Sequence, residues 1–129
     1  TIKAGKAQKF GNWLIESEIA ELKYGEFERY ISNKSRLEEW FDFGKVTGEI
    51  RVRKRRQADR FVPIGLGSEK KVGKFLTADR VSRAIRENIV IFEDEVKILW
   101  VGPVRVSDQI RITDETETVI KIRLVKARV

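Results

Sequence analysis

Residues 51–73 read RVRKRRQADRFVPIGLGSEKKVG. The stretch opens on an alternation: Ile50 and Val52 fall on one side, Arg51, Arg53 and Arg55 on the other. That period of two predicts a half-buried strand over 49–56. Pro63, Gly65 and Gly67 then predict a turn. Over 69–78 the apolar residues Val72, Phe75 and Leu76 recur at helical spacing. Ser68 stands where an N-cap would, but Lys71 three residues on gives no capping box. Gly73 costs such a helix about 1 kcal/mol relative to Ala, so packing has to hold it. The stretch therefore reads as strand, turn and helix start, and it carries five Arg and three Lys against two acids. Three Arg on one strand face repel one another unless solvent or an anion covers them. A solvated outer face is the ordinary reading of a charge run. Here the cations continue through Arg56, Arg60, Lys70, Lys71 and Lys74, which favours an anion site.

The flanking sequence is mostly β-like. Residues 1–10 are small, polar and basic and read as a linker. From residue 12, Trp13, Ile15, Ser17 and Ile19 alternate with Leu14, Glu16 and Glu18 as a strand. Residues 23–26 and 33–35 read as turns, and 27–32 and 38–43 as strands. Residues 79–88 read as a second short helix, with Val81 and Ile85 as its apolar pair and Arg80, Arg83 and Arg86 as its basic side. Residues 89–92, 96–101, 104–113 and 118–125 read as strands, the third with a bulge near Ser107 and Asp108. Acidic turns at 93–95 and 114–117 separate them. This order predicts an α+β fold of mostly antiparallel strands, a layered sheet or sandwich, with one or two short helices inserted at about 69–88. Residues 1–48 read as a strand-rich lead-in packed on the same domain, and 49–129 as the main domain.

A chain of 129 residues fits one domain, or two small lobes sharing a core, and buries enough surface to need no staples. At 41% hydrophobic residues it is too apolar for a disordered tail. Cys and His are both absent. That removes disulfides, thiolate nucleophiles, the commonest general base and the commonest metal ligands. The net charge of +7 favours a polyanionic partner. No apolar run approaches the ~18 residues that cross a bilayer, so no membrane partner is expected. Thr1 in place of Met at the first position reads as a fragment or a processed form.

Catalytic motifs are missing. The sequence has no G-x-x-x-x-G-K-[ST] loop and no G-x-G-x-x-G fingerprint. Gly65-Leu66-Gly67 reads first as a turn, although a glycine turn leading into a Lys-bearing helix also offers N–H groups to a phosphate. The acidic turns read as solubility features. Trp13, Trp40 and Trp100 sit in apolar strands and read as core before base stacking. Asp59 reads as a partner of Arg60 that orients the loop. What remains is a binding module for folded or double-stranded RNA. The cations come from a strand face, a loop and two short helices, a spread suited to a backbone, and no helix carries a stripe of Asn, Gln or Arg to read a DNA groove.

Three segments follow one another in a recognisable order: Arg53-Lys54-Arg55-Arg56-Gln57-Ala58-Asp59-Arg60-Phe61, Pro63-Ile64-Gly65 and Gly67-Ser68-Glu69-Lys70-Lys71-Val72. Together they resemble the C-terminal domain of tRNA(Ile)-lysidine synthetase. That family shows R-x-R-x-x-G-D-R-F, P-L-G and G-x-K-K-L before a short helix. Val81, Arg83 and Arg86 resemble its V-P-R-x-x-R-D segment. Ile98-Leu99-Trp100-Val101-Gly102 with Arg105 resembles its I-x-W-V-x-G-x-R strand pair. The specific likeness runs from about Glu49 to Leu124, while residues 1–48 match only in pattern. Ala58 stands in place of Gly, Ser82 of Pro, Val90 of a second Pro and Glu87 of Asp; none of these changes removes a positive charge.

The resemblance implies a parent enzyme that uses ATP and magnesium to adenylate the wobble cytidine of a tRNA(Ile) anticodon, after which lysine displaces AMP. That chemistry belongs to an N-terminal ATP-binding domain with an S-G-G-x-D-S loop, which this sequence lacks. The chain is thus expected to be non-catalytic, without a cofactor of its own, and cytoplasmic. Its expected partners are tRNA, held by the acceptor stem, and the N-terminal ATP-binding domain of the parent chain. Arg53, Arg55, Arg56, Arg60, Lys70, Lys71, Lys74, Arg83, Arg86 and Arg105 are the expected contacts to phosphate and ribose. A related domain in the phenylalanyl-tRNA synthetase β subunit leaves a second reading: docking onto the parent chain, or a homodimer. An apolar patch exposed around Trp13 or Trp40 would favour that reading.

Overall fold

The structure, a computed structural model, describes residues 1–127. Its strands are β1 (Gln8–Phe10), β2 (Trp13–Glu21), β3 (Glu38–Asp42), β4 (Arg51–Lys54), β5 (Arg60–Phe61), β6 (Lys70–Lys71), β7 (Val90–Glu93), β8 (Ile98–Gly102), β9 (Arg105–Val106) and β10 (Thr118–Lys126). Its helices are α1 (Glu26–Ser32), α2 (Val72–Ala78) and α3 (Arg83–Glu87). Among the described residues every strand pairing is antiparallel, so the fold is α+β as expected.

The chain forms two compact units, residues 47–109 and residues 2–46 joined by the segment from 110 onward. This differs from a simple division at residue 48. The reason is β10, which pairs with β2 from Thr118 opposite Glu21 to Lys126 opposite Trp13 and so belongs with the N-terminal strands. The last two residues of the expected 49–129 segment lie outside the described residues.

In the unit built on residues 2–46, the sheet order is β1-β2-β10-β3. Ile15 faces Leu124 and Phe41 faces Ile120, which puts these four buried residues on one side of the sheet. The linker reading fails at Gln8–Phe10, which pairs with β2 through a tight hairpin at Gly11. Gly11 has φ +56, a conformation such turns favour and side chains resist.

Residues 27–32 form helix, where a strand was expected. Phe27, Tyr30 and Ile31 stand at i, i+3 and i+4, which is helical spacing that a strict alternation does not fit. Glu26 and Glu28 in the first turn favour the helix end. The Tyr30 hydroxyl accepts the Trp40 N–H at 3.2 Å and donates to the Glu38 carbonyl at 3.2 Å. It thereby occupies outward polar groups of edge strand β3. The Tyr30 ring stacks on Trp40 at 4.2 Å, and the Lys121 ammonium lies 4.2 Å from the Trp40 ring centre. Burial, helped by nearby Glu39, pushes the Tyr30 hydroxyl well above its ordinary pKa.

In residues 47–109 the sheet order is β4-β7-β8-β9, beside the ribbon β5-β6. Val90, Ile91 and Phe92 and all of β8 are buried, as in strands covered on both faces. Helix α2 packs Val72, Phe75 and Leu76 against Phe61, Ile89, Ile91, Ile98 and Val101. The helix begins at Val72, and Ser68 does not cap it: Lys70 and Lys71 pair with Phe61 and Arg60 as a ribbon instead. Ser82 does cap α3, its Oγ accepting the Ile85 N–H at 3.3 Å. Of residues 104–113 only Arg105–Val106 is strand, because the Asp108 N–H turns to the Val62 carbonyl at 2.7 Å. The register shift lies between Phe92 and Glu93 rather than near Ser107.

The acidic turn at 93–95 is structural. Asp94 is 6% exposed. Its carboxylate accepts N–H groups from Thr47 at 2.8 Å and from Val96 and Lys97 at 2.9 Å, and pairs with the Lys97 ammonium at 2.6 Å. Burial alone would raise its pKa, but these bonds outweigh burial and hold it below the ordinary value of 3.8. Replacing Asp94 with Ala strands three N–H groups and an ammonium, and should cost roughly 3 kcal/mol in a urea melt. Because the native pKa is depressed, the stabilisation is full above pH 3.8 and is lost as pH falls through the native value. Asp94→Asn should therefore flatten the acid limb of the stability profile; an unchanged limb would show that Asp94 does not contribute to it.

Candidate nucleic-acid interface

The charge excess is local. Residues 47–109 hold fourteen Lys and Arg against nine Asp and Glu, whereas residues 2–46 and 110–127 hold twelve against eleven. Attraction for a polyanion thus resides in the unit carrying the 51–73 stretch.

The expected contact residues fall into two groups. Arg53 is engaged. Its guanidinium grips Asp59 with both terminal nitrogens, Nη2 to Oδ1 at 2.8 Å and Nη1 to Oδ2 at 3.0 Å, while Nε bonds Glu93 at 2.9 Å. Its side chain is 15% exposed. The expected Asp59–Arg60 partnership is therefore not formed. Asp59 is buried beside β4, and Arg60 occupies the solvent-facing position of β5 while Phe61 faces the core.

Arg105 donates to the Ile64 carbonyl at 3.2 Å, approaches Asp79 at 3.6 Å and lies 5.2 Å from the Phe75 ring centre. Arg86 clasps the helices, donating to the Val81 carbonyl at 3.0 Å and to the Thr77 hydroxyl at 3.3 Å.

Arg55, Arg56, Arg60, Lys70, Lys71 and Lys74 are exposed. Among the described residues none of their side chains makes an ion pair. Arg83 is also exposed, though it pairs with Glu87 at 3.0 Å across one helical turn. Arg60 sits directly opposite Lys71 on the ribbon, a like-charge pairing that costs stability unless solvent or an anion intervenes. Arg55 Nη1 lies where a Cβ on Gly73 would meet it at 3.3 Å, so the bare backbone of α2 gives Arg55 its place. Arg51 and Lys54 of β4 and Arg80, between α2 and α3, are further exposed cations of the same unit. The alternation had placed Arg51 with Arg53, but exposure is what separates them.

Aromatics do not share this surface. Phe61, Phe75, Phe92 and Trp100 are the aromatic residues of 47–109, and all four are buried. Gly65 and Gly67 have φ +87 and +69, which makes them turn residues on conformational grounds alone. Among the described residues no three acidic side chains converge as a metal site would require.

The family described as TilS substrate C-terminal domain matches residues 50–124. The chain belongs to that family. The matched span agrees with the likeness read from Glu49 to Leu124. The chain is 29% identical over 110 residues to a tRNA(Ile)-lysidine synthase of Caldanaerobacter subterraneus subsp. tengcongensis, covering 79% of this chain and 24% of that protein. It is 34% identical over 110 residues to the tRNA(Ile)-lysidine synthase of Clostridioides difficile, covering 84% and 23%. The chain thus spans about a quarter of the length of these relatives. In fold it is similar to a structure described as the TILS C-terminal domain, with a TM-score of 0.78 at 23% identity over 99% of this chain and 95% of that one. It is also similar to an N-terminal fragment of the phenylalanyl-tRNA synthetase β subunit from Pyrococcus horikoshii, with a TM-score of 0.73 at 17% identity over 85% and 38%.

In Asp59, burial would raise the carboxyl pKa, but bonds from Arg53 and from the Arg56 N–H outweigh it and hold the group below its ordinary value. The pair is thus mutually dependent. Arg53→Ala and Asp59→Ala should each cost about 2–3 kcal/mol, and the double variant clearly less than the sum, with a coupling of about 1–3 kcal/mol in a denaturation cycle. Additive losses would show that the two side chains do not act as a pair.

Proposed function

We propose that this domain binds the backbone of a tRNA stem on behalf of a tRNA(Ile)-lysidine synthase whose active site lies elsewhere in the parent chain. The observation that carries this reading is a set of six exposed cations, without ion-pair partners among the described residues, on β5, β6, α2 and the loop after β4, with every nearby aromatic buried. Proteins that hold single strands stack bases on exposed aromatics. A cationic face without them suits the phosphates and riboses of a duplex. Arg55, Arg56, Arg60, Lys70, Lys71, Lys74 and Arg83 are the contacts proposed here. Arg53, Arg86 and Arg105, whose guanidinium groups are already engaged, support them.

Family membership and the relatives' name supply the tRNA(Ile)-lysidine synthase context, in which the parent would use ATP and magnesium in the cytoplasm and this domain would perform no chemistry. No helix among the described residues is long and apolar enough to cross a membrane. The docking reading gains no support from its expected sign. Trp13 is 6% exposed, and Trp40 lies beneath Tyr30 and Lys121.

Replacing Arg55, Arg56, Lys70 and Lys71 together with Ala in the full-length protein should weaken tRNA binding. It should also lower the magnitude of the slope of log K against log salt by about 3.6, at the 0.9 per phosphate known for duplex DNA. An unchanged affinity and slope would exclude this face as the binding surface. This chain supplied alone with ATP, lysine and tRNA should form no product; product would place the chemistry within it. Gel filtration that shows the chain dimeric without tRNA and unshifted by it would favour docking instead.

A further inference from the structure

We propose that Asp59 is the positioning residue of this interface, fixing the loop after β4 so that Arg55 and Arg56 reach one RNA backbone together. The inference rests on the RNA-binding reading above.

Three cation-bearing elements meet at Asp59. Its side chain holds Arg53 of β4 by two bonds, at 2.8 and 3.0 Å. The same carboxylate accepts the Arg56 N–H at 2.7 Å, while the Asp59 N–H returns to the Arg56 carbonyl at 3.2 Å, closing the loop at both ends. The Asp59 carbonyl accepts the Val72 N–H at 2.9 Å and so ties in the start of α2. The next residue of α2 is Gly73, against whose bare Cα the Arg55 guanidinium rests. One residue thus sets where Arg56 leaves the loop and where Arg55 meets the helix.

The charges of the cluster argue against direct contact by Arg53. Asp59 and Glu93 together bring two negative charges to one guanidinium. The cluster is negative overall and repels phosphate, and its Arg has no bidentate face left to offer. On a surface that binds by positive charge, two carboxylates held on one Arg work against affinity unless they set geometry.

The test uses the full-length protein and a tRNA(Ile) transcript, with binding measured over a range of salt below the melting temperature of every variant. Asp59→Asn adds one positive charge, so a purely electrostatic surface would bind more tightly and with a steeper salt slope. Positioning requires the opposite: affinity down roughly tenfold and a shallower slope, because the two Arg no longer engage together. Arg53→Lys keeps the charge and loses the two-pronged grip. It should weaken binding as Asp59→Asn does, whereas a direct phosphate contact would be kept by Lys. Arg55→Ala with Arg56→Ala serves as reference. If that pair leaves binding unchanged, the RNA-binding reading of this loop fails, and the inference with it. If it weakens binding while Asp59→Asn and Arg53→Lys bind as tightly as the native chain or tighter, the positioning role alone is overturned. Should Asp59→Asn not fold, Arg53→Lys decides.

Discussion

Helix α2 is seven residues long, has glycine at its second position and lacks a side-chain cap. Isolated helices below about 12 residues are marginal even with good sequences. What holds it is burial: Val72 and Leu76 are 0% exposed and Phe75 is 5% exposed. Each such side chain contributes about 1.5–3 kcal/mol, together several times the ~1 kcal/mol that Gly73 costs. The loop from Arg55 to Ala58 is tied to this helix through the Val72 N–H, which donates to the Asp59 carbonyl at 2.9 Å. Phe61 anchors the β5-β6 ribbon in the same cluster, and it meets Phe75 edge to face at 5.3 Å. The cations stand on this frame, so their spacing is set by the apolar side chains beneath them.

Electrostatics explains the remaining order in this region. Exposed like charges at 4 Å repel by about 1 kcal/mol in water, tolerable singly but costly when accumulated. Apart from Arg83, which pairs with Glu87, the exposed contact cations are left without ion pairs among the described residues. The protein places its carboxylates underneath, with Asp59 and Glu93 on Arg53 and Asp94 on Lys97. Two departures from the family pattern fit this structure without loss. Ser82, where the family has Pro, supplies the cap of α3, and Glu87 pairs with Arg83.

Strands with one buried face were legible in the sequence. The alternations at Trp13–Ile19 and Thr118–Val125 correspond to β2 and β10, and Ile50 is buried as its parity required. The α+β order and the helices near 72–87 were legible for the same reason. Local pattern failed where a partner distant in sequence decided the outcome. Gln8–Phe10 becomes a strand because β2 offers it an edge, and residues 27–32 become a helix whose Tyr30 closes the edge of β3. Residues 108–113 leave the sheet as the Asp108 N–H turns to the Val62 carbonyl. At the candidate site the cations were legible as a cluster, but which of them are engaged was not. Arg53 and Arg55 share a strand face by parity, yet one is locked between two carboxylates and the other lies against Gly73.

That contrast bears on how a basic motif should be read. Arg53, Arg55 and Arg56 look equivalent in the sequence, and net charge counts them equally. Folding separates them into a residue that sets geometry and residues that present charge. A guanidinium suits the first role because its planar fork fits two carboxylates at once, which an ammonium does not. Charge presented to solvent tolerates exchange of Lys for Arg far better, and Lys70, Lys71 and Lys74 stand in such exposed positions. Within one run of cations, the Arg next to a buried acid is therefore the one least replaceable by Lys, although it is the least accessible to solvent.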